Sequence, residues 1–147
     1  MENLKQQDVP QRYPLCYVAQ CPQSGQCLHY QACLLFSDSV TDHPCVLPSA
    51  IAEGRSCPHF KAVQVIRGAW GFKKPFAEVK RKDDGPLRAQ IKAYLGGNGT
   101  YYRYHHGDRL LTPEQQQVIG LIFASRGYSS DVEFDGYRDA YDFTGFI

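Results

Sequence analysis

Apolar and polar positions recur with the periods of regular structure after about residue 60 and largely fail to before it. Ala62-Val63-Gln64-Val65-Ile66-Arg67 is β-branched and roughly alternating, which predicts a strand, broken by Gly68, Gly71 and Pro75 around Trp70 and Phe72. Leu87, Ile91, Tyr94 and Leu95 share one face of a helix predicted over 85–95, with Asp84 as its cap and Pro86 in its first turn. Gly96-Gly97-Asn98-Gly99 stops it. Thr100-Tyr101-Tyr102-Arg103-Tyr104-His105 reads as a second strand, with Tyr102 and Tyr104 on one face and Tyr101, Arg103 and His105 on the other. Gly107-Asp108 then turns the chain into a short third strand, Arg109-Leu110-Leu111. Thr112-Pro113-Glu114-Gln115 carries a capping box and an early proline, opening a helix with Val118, Ile119, Leu121, Ile122 and Phe123 on its apolar face and Gly127 as its stop. The tail from Asp131 reads as a strand followed by a short helix.

The first 60 residues are less regular. Residues 1–15 form a polar tail ending at Tyr13-Pro14-Leu15. Ser24 can cap a helix over about 25–36, on which Cys27, Leu28, Tyr30, Gln31, Leu34 and Leu35 recur at helical spacing. Residues 37–60 hold Pro44, Pro48, Gly54 and Pro58 and show no period. So long an irregular connection is uncommon unless something pins it, which points to Cys45 or Cys57 as a tie. The fold expected is α+β: a small Cys-rich N-terminal module with one helix (1–60), then a small antiparallel or mixed sheet packed by two main helices (61–147), the two packed as one unit.

Composition adds limits. The 147 residues, 43% hydrophobic and 21% charged, suit a globular chain able to bury a core without covalent help. No apolar stretch of signal-peptide length opens the sequence, and runs such as Cys33-Leu34-Leu35-Phe36 are far too short to span a bilayer. A cytoplasmic protein with no membrane partner is expected, in a compartment where thiols stay reduced.

That expectation bears on the six cysteines, at 16, 21, 27, 33, 45 and 57, all in the N-terminal part. Core cysteines would be scattered along the chain. Clustered soft thiolates select zinc or iron–sulfur clusters, and structural zinc takes four Cys or His ligands in a tetrahedron. Cys16, Cys21 and Cys27 follow one another at short gaps and can converge. Cys57, at the far end of the irregular connection, completes the preferred set, with His59 or Cys45 as the less favoured alternatives. Cys33 lies in an apolar run and reads as a core thiol; Cys45 and neighbouring His43 stay open. Zinc leads among the metals. The Cys-Pro pairs at 21–22 and 57–58 keep an iron–sulfur or thiol redox reading alive.

Tyr13-Pro14-Leu15-Cys16, Cys21-Pro22, Cys27-Leu28-His29, Cys57-Pro58-His59-Phe60, Trp70-Gly71-Phe72, Gly99-Thr100-Tyr101-Tyr102-Arg103-Tyr104 and Leu111-Thr112-Pro113-Glu114-Gln115-Gln116 together resemble a family of short bacterial proteins of unknown function. Its members join a cysteine-rich N-terminal module to a Tyr-Tyr-Arg-Tyr segment and a Leu-Thr-Pro-Glu helix. The similarity runs from about residue 12 to 143. It implies a bacterial cytoplasmic protein and carries no assigned activity. One departure is His29, where the family pattern has arginine, and this weighs against His29 as a ligand.

Charge is uneven. Residues 61–107 hold ten basic and three acidic groups, flanked by acidic segments. Lys73, Lys74, Arg81 and Arg103, interleaved with aromatics such as Tyr101, are what a single-stranded nucleic-acid partner requires. The alternative is a solvated lysine-rich loop over packed tyrosines, which the pI of about 7.6 favours. Asp131, Glu133 and Asp135 alternate and could gather as a cation site on a strand, though such trios are more often solvated edges or caps. No nucleophile elbow, zinc-protease helix or Walker loop is present. The leading expectation is a non-enzymatic, zinc-stabilised binding or regulatory protein.

Overall fold

The computed structural model describes residues 5–54, 56–144 and 146; part of the expected N-terminal tail lies outside them. The chain is α+β, with five α-helices and an antiparallel pair of strands among the described residues. In order these are α1 (Leu28–Cys33), β1 (Val65–Trp70), α2 (Lys73–Phe76), α3 (Arg81–Leu95), α4 (Asn98–His106), α5 (Pro113–Ala124) and β2 (Gly136–Tyr141). Two compact units result: Met1–Val65 with Ala140–Ile147, and Ile66–Asp139.

The first unit has little regular structure. A 3-10 turn at Ser24–Gln26 leads into α1, only six residues long. Cys27, not Ser24, is its N-cap and gives no side-chain hydrogen bond, while the Ser24 hydroxyl donates to the Ala19 carbonyl at 3.3 Å. The connection 37–60 is tied chiefly through backbone. Leu15, fully buried, pairs in parallel with Cys45: Leu15 N–H donates to the Pro44 carbonyl (2.9 Å) and Val46 N–H to the Leu15 carbonyl (2.7 Å). His43 Nε2–H adds a bond to the Tyr13 carbonyl at 2.8 Å. Pro48–Gly54 winds into a 3-10 segment. One buried cluster holds Val9, Tyr13, Leu15, Leu28, Ala32 and Tyr141, with Phe143 and Phe146 packed against it.

The second unit is built on helices. In α3, Leu87, Ile91 and Leu95 are buried and Tyr94 is exposed. The helix starts earlier than its sequence pattern suggests, with Lys80 as N-cap, so Pro86 falls inside it and Asp84 in its first turn. Asp84 there accepts from Arg88 Nε at 2.6 Å, an i,i+4 pair. Gly96, at φ 98°, ends the helix in the left-handed conformation.

The segment expected to be a second strand is helical. Asn98–His106 forms α4, bracketed by Gly97 and Gly107. Tyrosine favours strands, but Tyr101 and Tyr104, three apart, meet one buried face only in a helix, and burial of both rings outweighs the weak local preference. The faces change accordingly: Tyr102 and Arg103 turn to solvent. The third strand reduces to one bridge, Leu111 with Ala69. The first strand is displaced to Val65–Trp70. It pairs with β2, and the described residues 142–144 form no helix beyond it.

α5 starts where the sequence places it. Gln115 N–H donates to Thr112 Oγ1 at 3.2 Å and Thr112 N–H to Gln115 Oε1 at 2.9 Å, a complete capping box. Its Ile119, Ile122 and Phe123 join Ala69, Phe72, Phe76, Leu111, Phe134 and the buried faces of α3 and α4 in one core. Phe72, Tyr101 and His105 form a near-parallel pile, with interplanar angles of 5–8°.

Candidate metal centre

The route that gathers the cysteines is local at three of its steps. Cys21 lies in a turn in which its N–H donates to the Val18 carbonyl (3.3 Å) and Ser24 N–H donates to its carbonyl (3.0 Å). The 3-10 turn then delivers Cys27 to the head of α1. Cys16 N–H donates to the His29 carbonyl at 3.1 Å, holding Cys16 against that helix. Cys57 arrives from afar. The segment after it is paired with Cys27: Leu28 N–H donates to the Lys61 carbonyl (2.7 Å), Val63 N–H to the Gln26 carbonyl (2.9 Å), and Cys27 and Ala62 form an antiparallel bridge.

Cys16, Cys21, Cys27 and Cys57 consequently line one cavity, walled by Val18, Val46, Leu47, Ile51, Phe60 and Tyr30 among others. Its free volume is about 20 Å³, near that of a single water molecule or ion. Among the described residues no three His, Cys, Asp or Glu side chains stand in an arrangement that would already hold an ion. The thiols therefore share a cavity without forming a finished coordination shell. All six cysteines are free; Cys27 is buried, Cys16, Cys21, Cys33 and Cys57 are half-buried, and Cys45 is exposed.

The remaining candidates separate from this cavity. His59 and Cys45 line an open groove of about 650 Å³ with Pro14, Ser49 and Pro58. His29 donates from Nδ1 to the Pro14 carbonyl at 2.6 Å and stacks on Tyr13, a structural role. Burial, and then the charge of Cys16, push the Cys33 thiol up. Tyr13 is a residue the sequence reading passed over. Its hydroxyl is buried with no hydrogen-bond partner, and burial, followed by the charge of Cys27, raises its pKa well above the usual phenol range.

Residues 1–143 match the model of a family of unknown function, DUF6078. The chain belongs to that family. No curated protein and no solved structure matches it. In this DUF6078 chain no described helix is long and apolar enough to cross a membrane.

The basic aromatic segment of the DUF6078 chain is rearranged by α4. Tyr101 is 1% exposed and stacked on Phe72 at 4.6 Å, so it offers no face to a base; the exposed ring is Tyr102. Lys73, Lys74, Arg81 and Arg103 are exposed but lie on three different helices. Lys74 Nζ pairs with Glu133 at 3.2 Å, and Lys92 lies over the Tyr101 and Tyr102 rings. The acidic trio does not gather on a strand, because Asp131–Asp135 precede β2. Asp135 instead accepts from the N–H groups of Lys73 and Lys74 at the start of α2.

Proposed function

We propose that this chain is a non-enzymatic protein with a binding or regulatory role, its first unit held by one zinc ion on Cys16, Cys21, Cys27 and Cys57. The observation that carries the reading is the single small cavity shared by four thiols drawn from residues 16 to 57. The donor set fits the metal: four sulfurs are a closed structural zinc set, with no position left for substrate. Zinc supplies folding free energy when bound and no reaction. The chain's own residues do the positioning, Cys27 at the head of α1 and Cys57 through the pairing of 61–63 with 26–28. Tyr17, Leu34 and Leu47, large and exposed, support a binding role for the same unit.

Elemental analysis of protein purified without added metal tests this. The expected result is one zinc per chain, lost in Cys57→Ser and Cys21→Ser and retained in Cys45→Ser. Iron with sulfide would replace zinc by the cluster reading, and a metal-free protein with six titratable thiols would end both. The nucleic-acid alternative now depends on Tyr102, Lys92 and Arg103, and requires single-stranded RNA binding that weakens steeply with salt.

A further inference from the structure

Away from the cysteines, the second unit carries an open cleft of about 590 Å³ between the start of α3 and the end of α5. Lys80, Lys82 and Asp83 line one side of it, Arg126 and Tyr128 the other. A polar network joins the two sides. Asp83, 8% exposed, is the one buried charged residue among those described. Its carboxylate accepts from the Tyr128 hydroxyl at 2.6 Å and from Arg126 Nη1 at 3.3 Å, and the Tyr128 oxygen accepts the Lys80 N–H at 3.0 Å. Gly127, at φ 88°, turns the chain back after α5, and the Tyr128 N–H donates to the Phe123 carbonyl at 3.2 Å. Arg126 and Tyr128 are thereby held from both directions.

The charge of this lining is not balanced. Arg126 gives Asp83 one donor, and its guanidinium keeps other N–H groups for a ligand. Lys80 and Lys82 are exposed and have no ion pair among the described residues. Asp84, next along α3, is paired with Arg88. Three cations therefore face the cleft against one carboxylate that is already engaged, a surplus of two positive charges. Like charges gathered on one concave surface repel, and a bound anion relieves that repulsion. A phosphomonoester carries about two negative charges near pH 7 and several acceptor oxygens, which matches both the surplus and the fork of a guanidinium. A carboxylate would leave one cation unmet. The cleft is also roomier than a bare phosphate requires, and the Gln90 amide beside it has no hydrogen-bond partner among the described residues, so it can meet a polar organic body. We propose that this cleft binds the phosphate group of a small phosphomonoester, with Arg126, Lys80 and Lys82 on its oxygens. The site belongs to the second unit and is independent of the zinc reading.

Amide resonances of the full-length chain, followed as inorganic phosphate and then glucose 6-phosphate are added, test this. Both are expected to shift the signals of Lys82, Arg126, Gly127 and Tyr128 saturably, with glucose 6-phosphate the tighter. Sodium chloride and sodium acetate at matched ionic strength should leave the same signals nearly still. The double variant Lys80→Gln, Lys82→Gln keeps Asp83, Arg126 and Tyr128 in place. Its affinity for both phosphates should fall about 10-fold or more, the effect of losing charge-assisted hydrogen bonds. Its melting temperature should match the wild type, since both side chains are exposed. Equal shifts with chloride or acetate, no saturation with either phosphate, or undiminished affinity in the double variant overturns the proposal. Saturation of the same amides by single-stranded RNA at a lower phosphate concentration would overturn it too, and assign the cleft to nucleic acid.

Discussion

The two units solve the same problem with unequal means. The second, Ile66–Asp139, buries residues from β1 and from α2, α3, α4 and α5 in one aromatic-rich core. The first uses a similar length of chain, yet among its described residues the buried cluster has six members and the one α-helix six residues. Conformational entropy is lost for each residue ordered in either unit, while only burial and pairing offset it. The thiol cavity lies in the unit with the smaller buried cluster, where the proposed zinc would add the free energy that burial supplies elsewhere. The contrast teaches where to look for a cofactor: where the ordered chain outruns the apolar surface it buries.

The proposed zinc offers the most direct way to break that comparison. Chelation of the zinc-loaded protein is expected to abolish amide exchange protection in the first unit. The emission of Trp70, the chain's single tryptophan and a second-unit residue, should stay unchanged. Coincident loss of both signals would mean that the second core does not stand alone. The next largest effect is expected from Gly71→Ala. Gly71 has φ 90°, and a Cβ there would overlap the Asp135 side chain, which holds the start of α2. A loss of about 2–4 kcal/mol, read from Trp70 emission in denaturant, is expected from the left-handed backbone and the overlap together. Zinc affinity should not change, and if it falls in parallel the units are not independent.

Thr112→Ala is a smaller probe. Losing the capping box at α5 should cost about 1 kcal/mol, again confined to the second unit. The smallest effect concerns His105. Its Nδ1 accepts the Phe72 N–H at 3.1 Å, so the imidazole is neutral in the fold, and burial, then the charge of His106, lowers its pKa. A base with a depressed folded pKa contributes stability that is present above its unfolded value, about 6.5. That contribution is lost as pH falls from there through the folded pKa. Trp70 melting curves between pH 7.5 and 5 should show a slight downward step that His105→Phe removes; an unchanged step would assign it to another group.

The sequence was most legible where one local device decides the outcome. The Thr112 capping box, the stop at Gly96 and the grouping of Leu87, Ile91 and Leu95 follow from short-range chemistry and are met in the structure. It was least legible at Tyr101–His105, where strand propensity and helix pattern coexist in a few residues. The glycines on both sides, and aromatic residues at i, i+3 and i+4, were the available signal for a helix. The cysteines lie between these cases. Their clustering is plain in the sequence, and the gathering of Cys16, Cys21, Cys27 and Cys57 on one cavity depends on pairings that only the folded chain makes.

By itself, then, the sequence determined the α+β class, the ends of its strongest helices and the thiol-rich character of its first part. These depend on neighbours within a few residues, whose interactions survive in any fold that contains them. Tertiary structure alone decided that Tyr101 is core and Tyr102 surface, and that the tie beside Cys45 is made by the backbone of Pro44 and Val46. It also decided that Tyr13 holds a buried hydroxyl with no partner. Each of these depends on what arrives from far along the chain, and such encounters are set by burial summed over a whole unit rather than by local preference.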